Sequence, residues 1–248
     1  DNYLLSELGI ILPPEPENTI ANRIFTAQCN RLVGWRFDAR VHKQDFNLQS
    51  ARHPNLPLKQ LAYINPRTVF SGIKNETTLT FVPMESISDE DGTIAAPQQR
   101  NYSENVGYTK FQEGDLLWAK ITPCMENGKS AVAQNLMNGF GFGSTEYHVL
   151  RPKSGGLSVH YLHAILRMKC LRKAAESYFG GSSGHQRVDE AFFYRMTVPV
   201  PSREVQGHLA KRIESMRQEA QRLRSNALAE LNAAKNRIEA MLLGEVII

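Results

Sequence analysis

The feature that most restricts this chain is the apolar spacing of its C-terminal stretch. Leu209, Ile213, Met216, Ala220, Leu223 and Ala227 step by four and three in alternation, and after one extra step of four the alternation resumes at Leu231, Ala234, Ile238 and Met241. Such a pattern is a coiled-coil seam, and the extra step is a stutter that locally unwinds the supercoil. Before it, Val198-Pro199-Val200-Pro201 ends the preceding element, Ser202 is placed as an N-cap, and Glu204 puts a carboxylate in the first turn, where the helix dipole favours one. The spacing predicts a single helix over 203–243, about 60 Å long at ~1.5 Å per residue. A helix of that length outruns the domain before it and needs a partner helix. The alternative, a helix folded back onto its own domain, fits poorly with the Arg, Glu, Gln and Asn that fill most other positions.

The rest of the chain is built differently. With 248 residues, 42% hydrophobic and 22% charged, it is a soluble globular chain of one or two domains, and disorder and collagen-like repeats are excluded. Residues 1–31 read as the end of a preceding helix and a linker: Leu4, Leu5 and Leu8 share a face, and Gly9 with Pro13, Pro14 and Pro16 ends it. Residues 32–201 break into short β-rich runs punctuated by Gly, Pro and Asn, with candidate strands at 79–83, 116–121, 130–133 and 147–150 and a candidate helix at 160–177. The fold class expected is therefore α+β, one mixed domain followed by the long helix of 202–248. Cys29, Cys124 and Cys170 are odd in number and form no C-x-x-C pair, which gives neither a disulfide framework nor a zinc site and fits a reducing, cytoplasmic setting. No apolar run approaches the roughly 18 residues that span a bilayer, and the basic-then-apolar order of a signal peptide is missing. Starting at Asp1, the sequence reads as a fragment of a longer chain or a processed start.

Three strings imitate catalytic motifs and fail on physical grounds. Gly128-Lys129-Ser130 lacks the P-loop's first glycine, because Pro123 stands there and strand-like residues follow. Gly139-Phe140-Gly141-Phe142-Gly143 precedes a strand with no βαβ unit around it and reads as a turn. Asn65-Pro66-Arg67-Thr68 lacks the aromatic residue on which an amino-methyltransferase stacks a flipped base. The histidines are scattered; His160 and His163 share a helical spacing without a carboxylate beside them, and Cys124 with His148 is the one nucleophile-base pairing left open, against the commoner buried cysteine. No catalytic constellation, metal site or cofactor is expected.

Charge is uneven. The formal net charge is +4, and residues 151–195 carry eight basic against three acidic groups. Arg151, Lys153, Arg167, Lys169, Arg172, Lys173 and Arg187 could neutralise phosphates or form a solvated face.

The string Gly114-Asp115-Leu116-Leu117-Trp118-Ala119-Lys120-Ile121-Thr122-Pro123-Cys124-Met125-Glu126-Asn127-Gly128-Lys129, followed by Gly141-Phe142-Gly143-Ser144-Thr145-Glu146-Tyr147-His148-Val149-Leu150-Arg151-Pro152, strongly resembles a target recognition domain of type I restriction-modification specificity subunits. Trp35-Arg36-Phe37-Asp38, Gly181-Ser182-Ser183-Gly184-His185-Gln186-Arg187-Val188 and the Val-Pro-Val-Pro junction agree with that resemblance. It implies a non-catalytic, DNA-reading component. Each recognition domain reads one half of a bipartite site, and paired helices set the distance between two domains and dock methyltransferase subunits, to which restriction subunits can join. The chain resembles about half of a full subunit, so the long helix would pair with another half-subunit or with the rest of its own chain.

Loops that combine glycine, a hydroxyl or amide, and a cation suit DNA contact, because backbone and side-chain donors can approach phosphates closely while Arg, Lys, Asn and Gln can read base edges. The candidates are Lys120, Thr122, Asn127 and Lys129 in the first loop, Ser144 and Thr145 in the second, and Ser182, Ser183, His185, Gln186 and Arg187 in the third. Discrimination is expected in less recognisable parts such as 65–110. The competing reading is a coiled-coil adaptor without DNA contact.

Overall fold

The computed structural model describes residues 1–12, 14, 17, 19–24, 26, 28, 48–182 and 184–243. The Trp35-Arg36-Phe37-Asp38 segment, Cys29 and Ser183 lie outside the described residues. The fold is α+β with a long C-terminal helix. In chain order the elements are α1 (Asn2–Leu8), α2 (Ile20–Arg23), β1 (Asn55–Pro57), α3 (Leu58–Leu61), β2 (Ala62–Ile64), β3 (Thr78–Val82), β4 (Gln98–Asn101), β5 (Thr109–Gln112), β6 (Leu116–Ala119), β7 (Ser130–Val132), β8 (Phe140–Gly143) and β9 (Tyr147–Pro152). These are followed by α4 (Val159–Leu166), α5 (Lys169–Ala175), β10 (Phe179–Gly180), β11 (Arg187–Val188), α6 (Ala191–Arg195), β12 (Thr197–Pro199) and α7 (Arg203–Leu242).

Two four-stranded sheets organise the domain. The first, ordered β2-β9-β6-β7, is antiparallel throughout, and the second, ordered β4-β3-β8-β5, contains one parallel pair between β3 and β8. Side chains alternate across a strand, and β6 shows the consequence. Leu116 and Trp118 enter the large core shared with α3 to α6, while Leu117 enters the core between the sheets with Phe111, Val82 and Val149. A strand covered on both faces reads as a continuous apolar run, as Leu-Leu-Trp-Ala does. The outer face of the second sheet carries an aromatic cluster of Phe70, Phe81 and Phe142.

Two expectations are corrected. Gly139 to Gly143, read as a turn, runs into strand β8 at Phe140. Its glycines serve packing: a Cβ on Gly141 would run into the Phe111 ring and one on Gly143 into the Val82 carbonyl. The 160–177 helix is two helices, because Met168 leaves helical geometry between α4 and α5 (φ −58°, ψ 132°). The second start is capped from afar, the Asp1 carboxylate accepting from the N–H groups of Lys169 and Cys170 at 3.0 Å each. The N-terminal helix stops at Leu8, where Gly9 takes a left-handed conformation (φ 61°) and closes the last turn with N–H bonds from Gly9 to Ser6 and from Ile10 to Leu5. Leu4, Leu8 and Ile10 are part of the main core.

Helix α7 starts as the cap chemistry requires, with the Ser202 hydroxyl accepting from Val205 N–H at 3.3 Å. Its first turns dock on α4 through Leu209 and Gln206; the buried Gln206 amide accepts from Ser158 N–H (2.7 Å) and donates to the Pro201 carbonyl (3.0 Å), so no polar atom of that amide is left unpaired. Farther along, the seam is open to solvent: Leu223, Leu231 and Ile238 are each more than half exposed. Among the described residues, no helix is long and apolar enough to cross a membrane.

Candidate nucleic-acid interface

The three loops singled out from the sequence converge. Thr122 N–H donates to the Gln186 carbonyl (3.0 Å), Val188 N–H to the Lys120 carbonyl (2.8 Å) and Lys120 N–H to the Glu146 carbonyl (2.9 Å), while Ile121 and Arg187 form an antiparallel bridge. Glycine turns and β-edge backbone bring these segments together, and Ser144 closes the middle loop by accepting from Glu146 N–H (3.2 Å). Lys120, Thr122, Ser144, Gln186 and Arg187 thus share one rim, with Thr145, Ser182 and His185 exposed beside them.

Several candidate side chains are already in use. Arg187 holds Glu146 with both faces of its fork (Nε to Oε2 2.8 Å, Nη2 to Oε1 2.7 Å), not Asp189 or Glu190, the partners its neighbours in sequence would offer. This hydrogen-bonded cation keeps the Glu146 carboxyl below its ordinary range. Lys129 Nζ turns inward to the Met84 carbonyl (3.1 Å), and the Thr122 hydroxyl bonds Glu126. Asn127 lies exposed on the far part of its loop.

The basic excess of 151–195 is likewise mostly consumed, which corrects its reading as an open patch. Arg151 forms a two-point pair with the fully buried Asp115 (2.7 and 2.8 Å) and also donates to Thr68 Oγ1 (2.8 Å). Arg167 donates to the carbonyls of Gly128, Asp89 and Glu90 at 2.8–2.9 Å, and Arg172 donates to the carbonyls of Arg167 and Glu126, so the two tie the 89–90 and 126–128 loops to the α4–α5 corner. Burial lowers the Arg167 guanidinium to about 10, with Arg217 and Arg172 adding repulsion. Lys153 donates to the Lys59 carbonyl (2.8 Å).

What stays open is a groove of about 410 Å³ bordered by the 65–68 turn, the start of β5 and the end of β6. Arg67, Lys110 and Lys120 line it, and no carboxylate does. Arg67 is exposed, and Lys110 sits with Nζ 5.6 Å from the centre of the Phe70 ring. Lys120 was among the residues picked from the sequence; Arg67 and Lys110 were not, although both fall in the 65–110 stretch expected to discriminate. Their signal was weak: a cation in an Asn-Pro-Arg-Thr turn, and another at the start of a strand.

The nucleophile-base option closes. His148 spends Nε2 on the Val188 carbonyl (2.8 Å) and Nδ1 on the Asn65 amide (3.1 Å), and burial lowers its pKa, so it is a neutral structural ring. His163 is buried against Ser130, with burial pushing it down to about 3. Among the described residues, no group of three or more His, Cys, Asp or Glu side chains is placed to hold a metal.

Two curated proteins align with this chain, the specificity subunits of the type I restriction enzymes EcoAI and EcoEI from Escherichia coli. They are 34% identical over 186 residues and 31% identical over 188 residues, each covering 75% of this chain and 31% of the relative. Over three quarters of its length the chain is similar to type I specificity subunits. It spans about a third of the length of those curated relatives. No family model matches the sequence. Its fold also matches solved type I chains. A chain from a type I R-M system, solved for its complex assembly and conformational transition, superposes with a TM-score of 0.59 at 16% identity, covering 79% of this chain and 49% of that one. The HsdS subunit from Thermoanaerobacter tengcongensis gives 0.54 at 16% identity, covering 76% and 48%. The strings of 114–152 on which the sequence resemblance rests lie in the paired sheets and the rim loops, so much of what makes the chain recognisable is framework.

Proposed function

We propose that this chain is a non-catalytic, sequence-specific reader of double-stranded DNA, the specificity component of a type I restriction-modification system, which reads one half of a bipartite site and docks methyltransferase subunits. The observation that carries the reading is the groove. In a chain similar to type I specificity subunits, three cations border a polar cleft without a carboxylate, while the domain's other described cations are largely tied to internal partners. Such a cleft accepts a phosphate backbone, and the rim residues Lys120, Thr145, Ser182 and His185 extend it as donors.

Helix α7 acts as the spacer. Its exposed seam, with Leu223 more than half open to solvent, calls for a helix from another half-subunit or from a longer chain, since an apolar stripe along an isolated helix is costly to leave in water. Adding four residues near Asn226 lengthens such a helix by about 6 Å and one turn, which moves a recognition domain by nearly two base pairs while keeping its face.

The test is a duplex-binding titration across salt, using the chain with its methyltransferase partner. Displaced counterions make log K fall linearly with log salt. Binding that is absent, or insensitive to salt, on every duplex would favour the rival coiled-coil adaptor. Methylation mapping with and without the insertion tests the spacer: the unspecified gap should grow by one or two base pairs with the half-sites unchanged.

A further inference from the structure

We infer that Arg67 is the specificity-determining residue of the groove, its guanidinium addressing the edge of a guanine in the major groove, while Lys110 and Lys120 neutralise phosphates. The inference rests on the DNA-reading function proposed above and assigns roles within it.

It starts from what the groove's side chains have left to offer. Asn65, an amide that would suit adenine, is fully spent: its Oδ1 accepts from Val149 N–H (3.0 Å) and its Nδ2 donates to Glu190 (2.8 Å) and faces His148. The Thr68 hydroxyl is buried and accepts from Arg151. The Tyr147 hydroxyl donates to the Pro83 carbonyl (3.1 Å). Among the lining residues, Arg67 is therefore the side chain that keeps a planar pair of donors, and it makes no hydrogen bond, ion pair or ring contact with a described residue. Two parallel N–H donors match the O6 and N7 acceptors of guanine, whereas an ammonium is a compact point charge suited to phosphate.

The second argument is rigidity. Base readout needs a donor held in register, and the turn that presents Arg67 is fixed at both ends. Before it, Asn65 N–H donates to the Val149 carbonyl (2.7 Å), with the residue in a left-handed conformation (φ 48°) that asparagine tolerates. Pro66 fixes the next φ. After it, Thr68 is locked to the Arg151–Asp115 pair, whose carboxylate is fully buried. Buried links to β6 and β9 thus hold a turn whose central side chain is exposed. Immobilising a short arginine turn in advance removes much of the ordering cost from binding.

The experiment compares Arg67→Ala, Arg67→Lys and Lys110→Ala in the full chain with its methyltransferase partner, reading affinity on a panel of duplexes, its salt slope and the methylated sites in cells. Arg67→Ala should relax the recognised site at one G·C position and lower affinity for the cognate duplex by roughly ten- to a hundred-fold, with smaller changes on duplexes already mismatched there. Arg67→Lys should relax the same position while keeping the wild-type salt slope, because charge is retained and the fork is lost. Lys110→Ala should weaken all duplexes alike and lower the slope by about one. A uniform loss for Arg67→Ala across the panel, or unchanged affinity and site, overturns the assignment to a base edge. Wild-type protein that binds no duplex in a salt-dependent way overturns instead the DNA-reading function, and with it this assignment.

Discussion

Two sets of cations on one domain are used in opposite ways. Arg151, Arg167, Arg172 and Arg187 are consumed by carboxylates and carbonyls brought from distant parts of the chain. Arg67, Lys110 and Lys120 line a cleft that supplies no carboxylate. The denser run of basic residues is the closed one, and the sparser set is the open one. A local excess of positive charge therefore does not locate an anion surface by itself. What decides is whether the fold delivers acceptors to it.

The sharpest way to break that contrast is at Arg151. Its partner Asp115 has no exposed side-chain surface and is also the acceptor for Gln112 N–H (2.8 Å). Arg151→Ala leaves a buried carboxylate without its cation and should cost about 3–5 kcal/mol in denaturant unfolding, the usual penalty for removing one half of a buried pair. It also frees Thr68, so the turn carrying Arg67 should loosen. A loss below about 1 kcal/mol, as for an exposed pair, would place Arg151 among the open cations and dissolve the distinction.

A pH titration sharpens the same contrast from within the closed region. His163 lies against Ser130, and burial lowers it to about 3, with Arg217 and Arg167 adding repulsion. Between that value and the ordinary 6.5 the unfolded chain binds a proton that the folded chain refuses. Stability should be flat above pH 6.5 with respect to this group and fall below it by up to about 1.4 kcal/mol per pH unit. His148, also lowered by burial, acts in the same direction. His163→Gln should flatten the slope; a wild-type protein that gains stability on acidification from pH 6.5 would show that the region is wet and its arginines are not spent on a dry interior.

How much of this was legible in the sequence depends on how local the cause is. The seam of α7 was readable because a helix writes its own period, and strands such as β6 were readable because two-sided burial leaves a continuous apolar run. The break between α4 and α5 was hidden: the cap on Lys169 comes from Asp1, and Arg167 reaches carbonyls 77 and 78 residues away. The glycines of β8 looked like a turn because what they make room for, the Phe111 ring and the Val82 carbonyl, is far along the chain. In the site, turn residues correctly marked loops that meet. Which of their cations remained free was not readable, since Glu146 is 41 residues from Arg187 and Asp115 is 36 from Arg151.

On the open side the expected effect is in binding alone. Lys110 is half-buried on β5 and touches the fold through the Phe70 ring. Lys110→Ala should leave unfolding nearly unchanged, since single exposed or half-exposed substitutions usually stay within about 0.5 kcal/mol. It should lower the salt slope of duplex binding by about 0.9. An unchanged slope would mean that the groove lies off the DNA path.

The smallest effect is expected at Arg187. Its pair with Glu146 is exposed on the arginine side, so water and salt screen it and Arg187→Ala should destabilise the chain far less than Arg151→Ala. The sign with pH follows from the carboxylate. The hydrogen bonds from Arg187 hold Glu146 below its ordinary 4.5, so the stabilisation is present above that value and is lost as pH falls through the folded carboxyl's lower one. Wild type and variant should therefore differ slightly at neutral pH and converge in acid. Binding separates the pair's local role from its charge. Removing Arg187 alone leaves Glu146 uncompensated beside Lys120, whose charge already bears on that carboxylate, so some loss of DNA affinity follows without any lost phosphate contact. Arg187→Ala combined with Glu146→Ala removes both charges and should recover the affinity at the wild-type salt slope. If the double variant instead loses as much slope as Lys110→Ala, Arg187 must leave Glu146 for a phosphate when DNA binds, and the line between consumed and available cations would have to be drawn in the complex instead of the free chain.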